Sequence, residues 1–276
     1  MPVRALAIDL DGTLLDRHDR ISPRNRAALA AAHREGLHVV IASARWFQIG
    51  RDVAAELSAD DCVVDGPIIA CSGAQVRRAQ GDGDLFDVRV PVDFARAFYE
   101  VVDHERCIAW AALDDDVAMK LEGDPERTLP GLRAVPSLAE GAGDRPPRLL
   151  MLQGSTAAAR VEAELAPRWR DRVHFIDSIS GHGKRILTLT AAGADKGVAL
   201  RAACADLGVD PADVVAFGDS GNDLPMFAVA GASVAMGQAA DDVKAAASHV
   251  SAPAGEDGVA VAVERLLAEG QALFTR

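Results

Sequence analysis

Short apolar runs, each stopped by a small polar cluster and followed by a helical repeat, set the rhythm of this chain. Val3 to Leu10 is the first; it ends in Asp-Leu-Asp-Gly-Thr and reads as a buried strand that stops at a turn. Ser22 and Pro23 then supply a helix cap and a first-turn proline, Ala27, Ala28, Leu29 and Ala31 recur behind them, and Gly36 is placed to end the helix. Leu37 to Ala42 predicts the next strand, Phe47 to Leu57 a helix, and Ile68 to Ala70 a further short strand. Strand, helix, strand is the unit of a parallel sheet, because parallel neighbours need a crossover helix.

After Gly73 the rhythm changes. Gly81-Asp82-Gly83-Asp84 is a turn signal, and acidic and proline-rich loops follow, with predicted helices at Phe94–Val102 and Ala157–Leu165 and predicted strands at Arg148–Leu152 and Val173–Ile176. From Lys196 the first rhythm returns: a helix to Leu207 stopped by Gly208, the apolar strand Val214–Phe217 running into Gly218-Asp219-Ser220-Gly221-Asn222-Asp223, and a last helix from Val259 to Glu269. The expected class is α/β: a Rossmann-like parallel-sheet core made of residues 1–84 and 186–276, with a second α/β domain, residues 85–185, inserted in it.

Composition narrows the function. Hydrophobic residues at 49% and charged residues at 25% suit a globular enzyme rather than a disordered or fibrous chain. A formal net charge of −12 with only 4% aromatic residues argues against a nucleic-acid partner and against an anionic membrane surface. The same charge repels a phosphorylated metabolite at long range, so any phosphate site has to be locally positive or supplied with a metal cation. Cys62, Cys71, Cys107 and Cys204 lie far apart without a C-x-x-C pair, which predicts buried free thiols rather than a zinc or redox motif. No apolar run approaches the length of a membrane span and the first strand is unlike a signal peptide, so a cytoplasmic protein is expected.

Candidate chemistry gathers at the carboxyl ends of the predicted strands: Asp9 and Asp11 after the first, Ser43 after the second, Asp219 to Asp223 after Val214–Phe217. In an open parallel sheet that edge is where ligands bind, so residues distant in sequence meet there. Carboxylates at Asp9 and Asp219 are hard oxygen ligands of the kind Mg²⁺ takes. An aspartate also attacks phosphorus, dividing one displacement into two, and Asp9 is the expected nucleophile. Asp11, if the backbone turns at Gly12, reaches the leaving oxygen as acid and then the attacking water as base, help typically worth about 10²–10⁴-fold. Ser43, neighbouring backbone N–H groups and Lys196, at the start of a predicted helix, are donors for the phosphoryl oxygens.

Each fragment has a plainer reading on its own. Asp-Gly after a strand is also a common turn, Ser43 a helix cap, Lys196 a solvated helix residue, and Asp219 with Asp223 a loop followed by a cap. Their occurrence in order at successive strand ends is what favours a site.

At this point the chain resembles the haloacid dehalogenase superfamily of aspartate-dependent phosphohydrolases, in its Cof-type branch with a large α/β cap. Ile8-Asp9-Leu10-Asp11-Gly12-Thr13-Leu14-Leu15 is similar to the first motif and Gly218-Asp219-Ser220-Gly221-Asn222-Asp223-Leu224-Pro225-Met226 to the fourth. Asp195-Lys196-Gly197 matches the third, and Val234-Ala235-Met236-Gly237 with Asp257-Gly258-Val259-Ala260 the C-terminal signature. The resemblance implies Asp9 as nucleophile, Asp11 as acid and base, and Ser43, Ala44, Arg45, Lys196 and Asn222 on the phosphate side. It implies Mg²⁺ held by Asp9, Asp11 through its backbone carbonyl, and Asp219, with Asp223 ordering that shell. A small-molecule phosphorylated substrate, a sugar phosphate by family default, follows from it.

The chain departs from the branch in three places: Ser43-Ala44-Arg45 for Thr-Gly-Arg, Ser72-Gly73-Ala74 for Asn-Gly-Ala, and Gly237-Gln238-Ala239 for Gly-Asn-Ala. The first keeps the hydroxyl and the arginine, and the swaps bear on substrate contacts more than on phosphoryl chemistry. The insertion matches a cap that selects the leaving group. Within it, Gly181-His182-Gly183-Lys184-Arg185 is either a substrate-touching basic loop or a solvated turn, and Asp114-Asp115-Asp116 either a metal ligand set or a solvated acidic turn. Two other functions share parts of the pattern: a phosphomutase that returns the phosphoryl group to a sugar, and a phospho-accepting signalling or sensor domain, which needs neither Asp11 as acid nor an inserted domain.

Overall fold

The computed structural model of the protein describes residues 3–59, 64–81, 83–121, 131–179 and 183–269. These fall into two compact units, one gathering the residues up to Phe86 and from Asp195 onward, the other those from Asp87 to Ala194. Cys62, Asp82 and the Gly181-His182 pair lie outside the described residues.

The first unit is built on a sheet whose strands lie in the order His249–Val250, Ala232–Ala235, Val214–Gly218, Ala5–Ile8, His38–Ala42, Ile68–Ala70, Gln75–Arg77 and Phe86–Asp87. Pairings from His249–Val250 through Ile68–Ala70 are parallel, and Gln75–Arg77 returns antiparallel to Ile68–Ala70. The strand Ala5–Ile8 is central, and the chain leaves it to one side for His38–Ala42 and later fills the other side with Val214–Gly218, which makes its carboxyl end a topological switch point. Leu6, Ile8, Ile41 and Phe217 are wholly buried there, each such side chain worth about 1.5–3 kcal/mol relative to exposure.

Local signals place the helices. Ser22 Oγ accepts the N–H of Asn25 at 3.0 Å and starts Pro23–Arg34; Asp195 Oδ1 accepts those of Gly197 and Val198 at 2.7 and 2.8 Å and starts Lys196–Leu207, which Gly208 closes in the left-handed conformation. Asn25, buried on the first helix, accepts the N–H of Ala260 at 2.9 Å and ties it to the last helix, Gly258–Glu269. The predicted strand Val3–Leu10 is shorter in the structure, Ala5–Ile8, because Leu10 already belongs to a turn: its carbonyl accepts the N–H groups of Thr13, Leu14 and Leu15.

In the second unit the sheet runs Val173–Ile179, Arg185–Ala191, Leu149–Gln153, Ile108–Ala112, Val117–Lys120, Leu132–Val135. All its pairings are antiparallel except the last. Helices Val92–Val102 and Ser155–Trp169 supply Phe94, Phe98, Tyr99, Val161 and Trp169 to its core, with Phe94 edge-on to Trp169 at 5.4 Å. Arg185–Ala191 pairs along its length with Val173–Ile179, Val173 opposite Ala191, which carries this unit past Arg185 to Ala194. In the acidic turn, Asp114 pairs with Arg89 at 2.9 Å and Asp116 with Arg133 and Arg145 at 2.9 and 2.8 Å, so these two carboxylates serve arginines. Arg185 pairs with Asp177 and Glu162. Cys71, Cys107 and Cys204 are buried and form no disulfide among the described residues. Among the described residues no helix is long and apolar enough to cross a membrane.

Candidate active site

Sheet register assembles the site. Ile8 lies opposite both Phe217 and Ile41, so Asp9 leaves the central strand level with Gly218 on one side and Ala42 on the other. Ser43 and Asp219 are each the next residue on their strands. The Asp9 N–H donates to the Phe217 carbonyl at 3.0 Å, which fixes the start of its loop. Gly218 in turn faces Ala235, bringing Met236, Gly237 and Gln238 to the same edge.

A buried charge cluster occupies that edge. Lys196 Nζ, with no exposed surface, donates to Asp9 Oδ1 and to Asp223 Oδ1, both at 2.6 Å. The other oxygen of Asp223 accepts the backbone N–H groups of Asp219 and Ser220 at 3.0 and 3.1 Å. Asp223 is therefore a cap and an ion-pair partner at once, and Lys196, at the first position of its helix, is enclosed rather than solvated. Asp9, Asp219 and Asp223 each offer a carboxylate oxygen within 4.8 Å of the others.

Asp11 lies outside that cluster of three. Its carboxylate is half exposed and is held by Arg45, whose Nε lies 2.9 and 3.1 Å from its two oxygens, and the same guanidinium also reaches Asp19. Charge-assisted hydrogen bonds to a single guanidinium on one side, and a buried site already crowded with negative charge on the other, turn the carboxylate toward Arg45. Ser43 is buried; its Oγ accepts the Arg45 N–H at 3.0 Å, and its carbonyl accepts the N–H of Ser72 at 3.1 Å. It does not cap the following helix, which starts from Trp46 without a side-chain cap. Ala44 is half-buried on the same turn, and Asn222 Oδ1 accepts the Ser220 hydroxyl at 2.9 Å.

Close approach is visible at Gly12, whose φ of +74° is left-handed and where a Cβ would stand 2.2 Å from Asp219 Oδ2. Only glycine lets the Asp9–Gly12 loop lie against Asp219. Cys71 and Ser72, at φ 53° and 55°, are left-handed without being glycine, and their N–H groups donate to the carbonyls of Arg45 and Ser43; this strained turn therefore braces the Ser43–Arg45 loop. Sequence reasoning missed Gln238 as a part of the site, treating it only as a departure from the branch. Its Nε2 donates to the Gly12 carbonyl at 2.6 Å and to Asp219 Oδ2 at 3.4 Å. The available signal was its position just beyond a strand end at the same sheet edge.

Electrostatics follow from three carboxylates around one ammonium. Burial, reinforced by the charges of Asp223 and Asp219, raises Asp9 well above the ordinary carboxylate range in spite of Lys196. Burial, followed by the Asp223 charge, pushes Asp219 up to about 6. Burial alone would lower Lys196, but Asp223 and Asp9 overcome it and hold the ammonium protonated above its usual range. The donor set suits a hard divalent cation: every candidate ligand is an oxygen, the cluster carries excess negative charge, and Oδ2 of Asp9 and Oδ1 of Asp219 accept no hydrogen bond among the described residues. Both oxygens of Asp223 are engaged by protein donors, so Asp9 and Asp219 are the direct ligands this geometry favours.

Residues 6–263 match the family model of the haloacid dehalogenase-like hydrolases. Among curated proteins, the chain is 27% identical to a 5-amino-6-(5-phospho-D-ribitylamino)uracil phosphatase of Bacillus subtilis, across 96% of this chain and 98% of that protein. It is also 27% identical to a pyridoxal phosphate phosphatase of Escherichia coli, across 94% and 97%. Among solved structures, a haloacid dehalogenase-like hydrolase from Bacteroides thetaiotaomicron superposes with a TM-score of 0.80 at 26% identity, covering 95% of this chain and 99% of that one.

Proposed function

This chain belongs to the haloacid dehalogenase-like hydrolase family, and on that premise we propose that it is a Mg²⁺-dependent phosphatase acting on a small phosphorylated metabolite through an aspartyl-phosphate on Asp9. It is a hydrolase of phosphoric monoesters of the Cof type. The single observation that carries the mechanism is the buried Lys196 bridge between Asp9 and Asp223 beside Asp219.

In this reading the Asp9 carboxylate, positioned by its bond to Lys196, attacks phosphorus through one of its oxygens. The bond from phosphorus to the ester oxygen breaks, and Asp11 gives that oxygen its proton. Asp11, now a carboxylate, takes a proton from water as the water oxygen attacks the aspartyl-phosphate, releasing inorganic phosphate and restoring Asp9. Lys196, the Ser43 hydroxyl, the turn carrying Ala44 and Arg45, and Asn222 hold the phosphoryl oxygens. Asp223 keeps Lys196 aimed at Asp9. Mg²⁺, held by Asp9, the Asp11 backbone carbonyl and Asp219, would neutralise the charge that otherwise keeps Asp9 from ionising. Buried cysteines outside any disulfide among the described residues fit a reducing compartment, and the net charge of −12 disfavours anionic partners; we place the protein in the cytoplasm with no nucleic-acid or membrane partner.

The test is phosphate release from a panel of phosphorylated metabolites, with and without Mg²⁺, by the native protein and by Asp9→Asn. The panel includes sugar phosphates, pyridoxal phosphate and the phosphoribitylamino-uracil on which the named relatives act. Turnover that needs Mg²⁺ and vanishes in Asp9→Asn is expected; equal turnover by the two proteins ends the mechanism.

A further inference from the structure

We infer that Gln238 is a positioning residue for divalent-cation binding, acting through Asp219 and Gly12. The inference rests on Asp219 being a metal ligand. Gln238 is the residue at which this chain departs from the Gly-Asn-Ala pattern, and its side-chain amide joins three segments. Nε2 donates to the Gly12 carbonyl at 2.6 Å and to Asp219 Oδ2 at 3.4 Å, while Oε1 accepts the N–H of Ala254 at 3.0 Å. The chemistry of the partners fixes the orientation of the amide: a carbonyl and a carboxylate only accept, and a backbone N–H only donates, so the reversed amide loses every bond.

Geometry gives these bonds their consequence. Gly12 packs so closely on Asp219 that a Cβ there would stand 2.2 Å from Oδ2, the same oxygen that Gln238 reaches. Gln238 therefore holds both the Asp9–Gly12 loop and the Asp219 carboxylate in one register, and it turns Oδ2 toward its own amide, leaving Oδ1 for a cation. Gln238 is itself exposed, so its hold depends on the Ala254 N–H anchoring the far end of the amide. Partners that orient a ligating carboxylate typically change metal affinity by about 10–100-fold when removed.

Direct Mn²⁺ binding, read from the electron paramagnetic resonance signal of the free ion, tests this without any substrate. Gln238→Met keeps the side chain's length and removes all three bonds; its Kd for Mn²⁺ is expected to rise about 10–100-fold, with Gln238→Ala alike. Ala254→Pro removes only the N–H that anchors Oε1. Proline is admissible there because residue 254 opens a short 3₁₀ turn and Pro253 before it is extended, at φ −56° and ψ 152°. A smaller loss, about threefold, is expected of it. Asp219→Asn separates the two layers of the argument. If the native protein and Asp219→Asn bind Mn²⁺ alike, the metal assignment fails; if Asp219→Asn loses binding while Gln238→Met stays within twofold of the native protein, the assignment stands and the role of Gln238 is overturned.

Discussion

Lys196 Nζ lies 2.6 Å from Asp9 Oδ1 with neither side chain open to solvent, and it meets Asp223 Oδ1 at the same distance on its other side. Burying an ammonium costs several kcal/mol, which two carboxylates at hydrogen-bond distance offset without surplus. Packing alone would be served as well by a leucine or methionine. What the bridge supplies is a fixed positive charge at the strand end where a phosphoryl group would be handled.

Removing that charge has two separable effects. Lys196→Met leaves buried carboxylates uncompensated and is expected to lower the stability of the metal-free protein by about 3–5 kcal/mol in urea denaturation. Adding Asp223→Asn relieves the repulsion, so the double variant recovers part of that stability while phosphate release stays at least 10²-fold below native. Recovery of turnover along with stability would make Lys196 a structural residue only.

Gly12→Ala tests the close approach of the first loop to Asp219. The substitution places a Cβ 2.2 Å from Asp219 Oδ2 at a φ of +74°, where a non-glycine residue costs about 1–2 kcal/mol even without a clash. Loss of at least that much stability is expected, with weaker Mn²⁺ binding because the carboxylate has to move. Gly36→Ala is the control: its φ of +86° carries a similar backbone cost with nothing within 4 Å of the added atom. It should lose stability and leave Mn²⁺ binding unchanged.

The core sheet and the edge that carries the site were legible because the signals are local. Apolar runs ending in Asp9, Ser43 and Asp219 mark strands, and parallel register brings their ends together whatever lies between. Ser22, Asp195 and Gly208 mark helix ends by their own chemistry. Other features depend on tertiary contacts that no local pattern carries. A lysine opening a helix reads as solvated, yet Lys196 is enclosed because Asp223 comes back to it from the next strand end. Nothing local tells that the Asp11 carboxylate, two residues beyond Asp9, is drawn aside by Arg45. Strands such as Ile108–Ala112 and Val117–Lys120 escaped notice because alanine-rich runs lack the β-branched pattern of a strand.

The pairing of Asp11 with Arg45 leads to a leaving-group test. If Asp11 protonates the departing oxygen, Asp11→Asn matters most where the leaving group is a poor one: about 10²–10⁴-fold on an alkyl phosphate, and about tenfold on p-nitrophenyl phosphate, whose phenolate leaves with little help. Equal losses on both substrates would show that Asp11 does not act on the leaving oxygen. The Asp11 side chain is not buried enough for stability to change by more than about 1 kcal/mol.

The raised carboxylates make the metal-free fold sensitive to pH in a direction opposite to ordinary acid denaturation. Asp219 has an ordinary value of 3.8 and is pushed up to about 6 by burial and by Asp223, so the folded state binds its proton more tightly than the unfolded chain does. Its contribution is complete below pH 3.8, falls as pH rises toward 6, and is gone above that; Asp9, also raised, acts in the same sense. Asp219→Asn carries no charge to bury at any pH. Its melting temperature without metal should match that of the native protein near pH 4 and exceed it by about 2–5 °C at pH 7. Saturating Mg²⁺ at pH 7 should then reverse the order, because the cation stabilises the native carboxylates and finds no charged ligand at position 219 in the variant. Calorimetric scans of both proteins at the two pH values, with chelator and with Mg²⁺, check each sign separately. A native protein whose melting temperature relative to the variant is unchanged between pH 4 and 7 would mean that Asp219 is not held protonated by its surroundings.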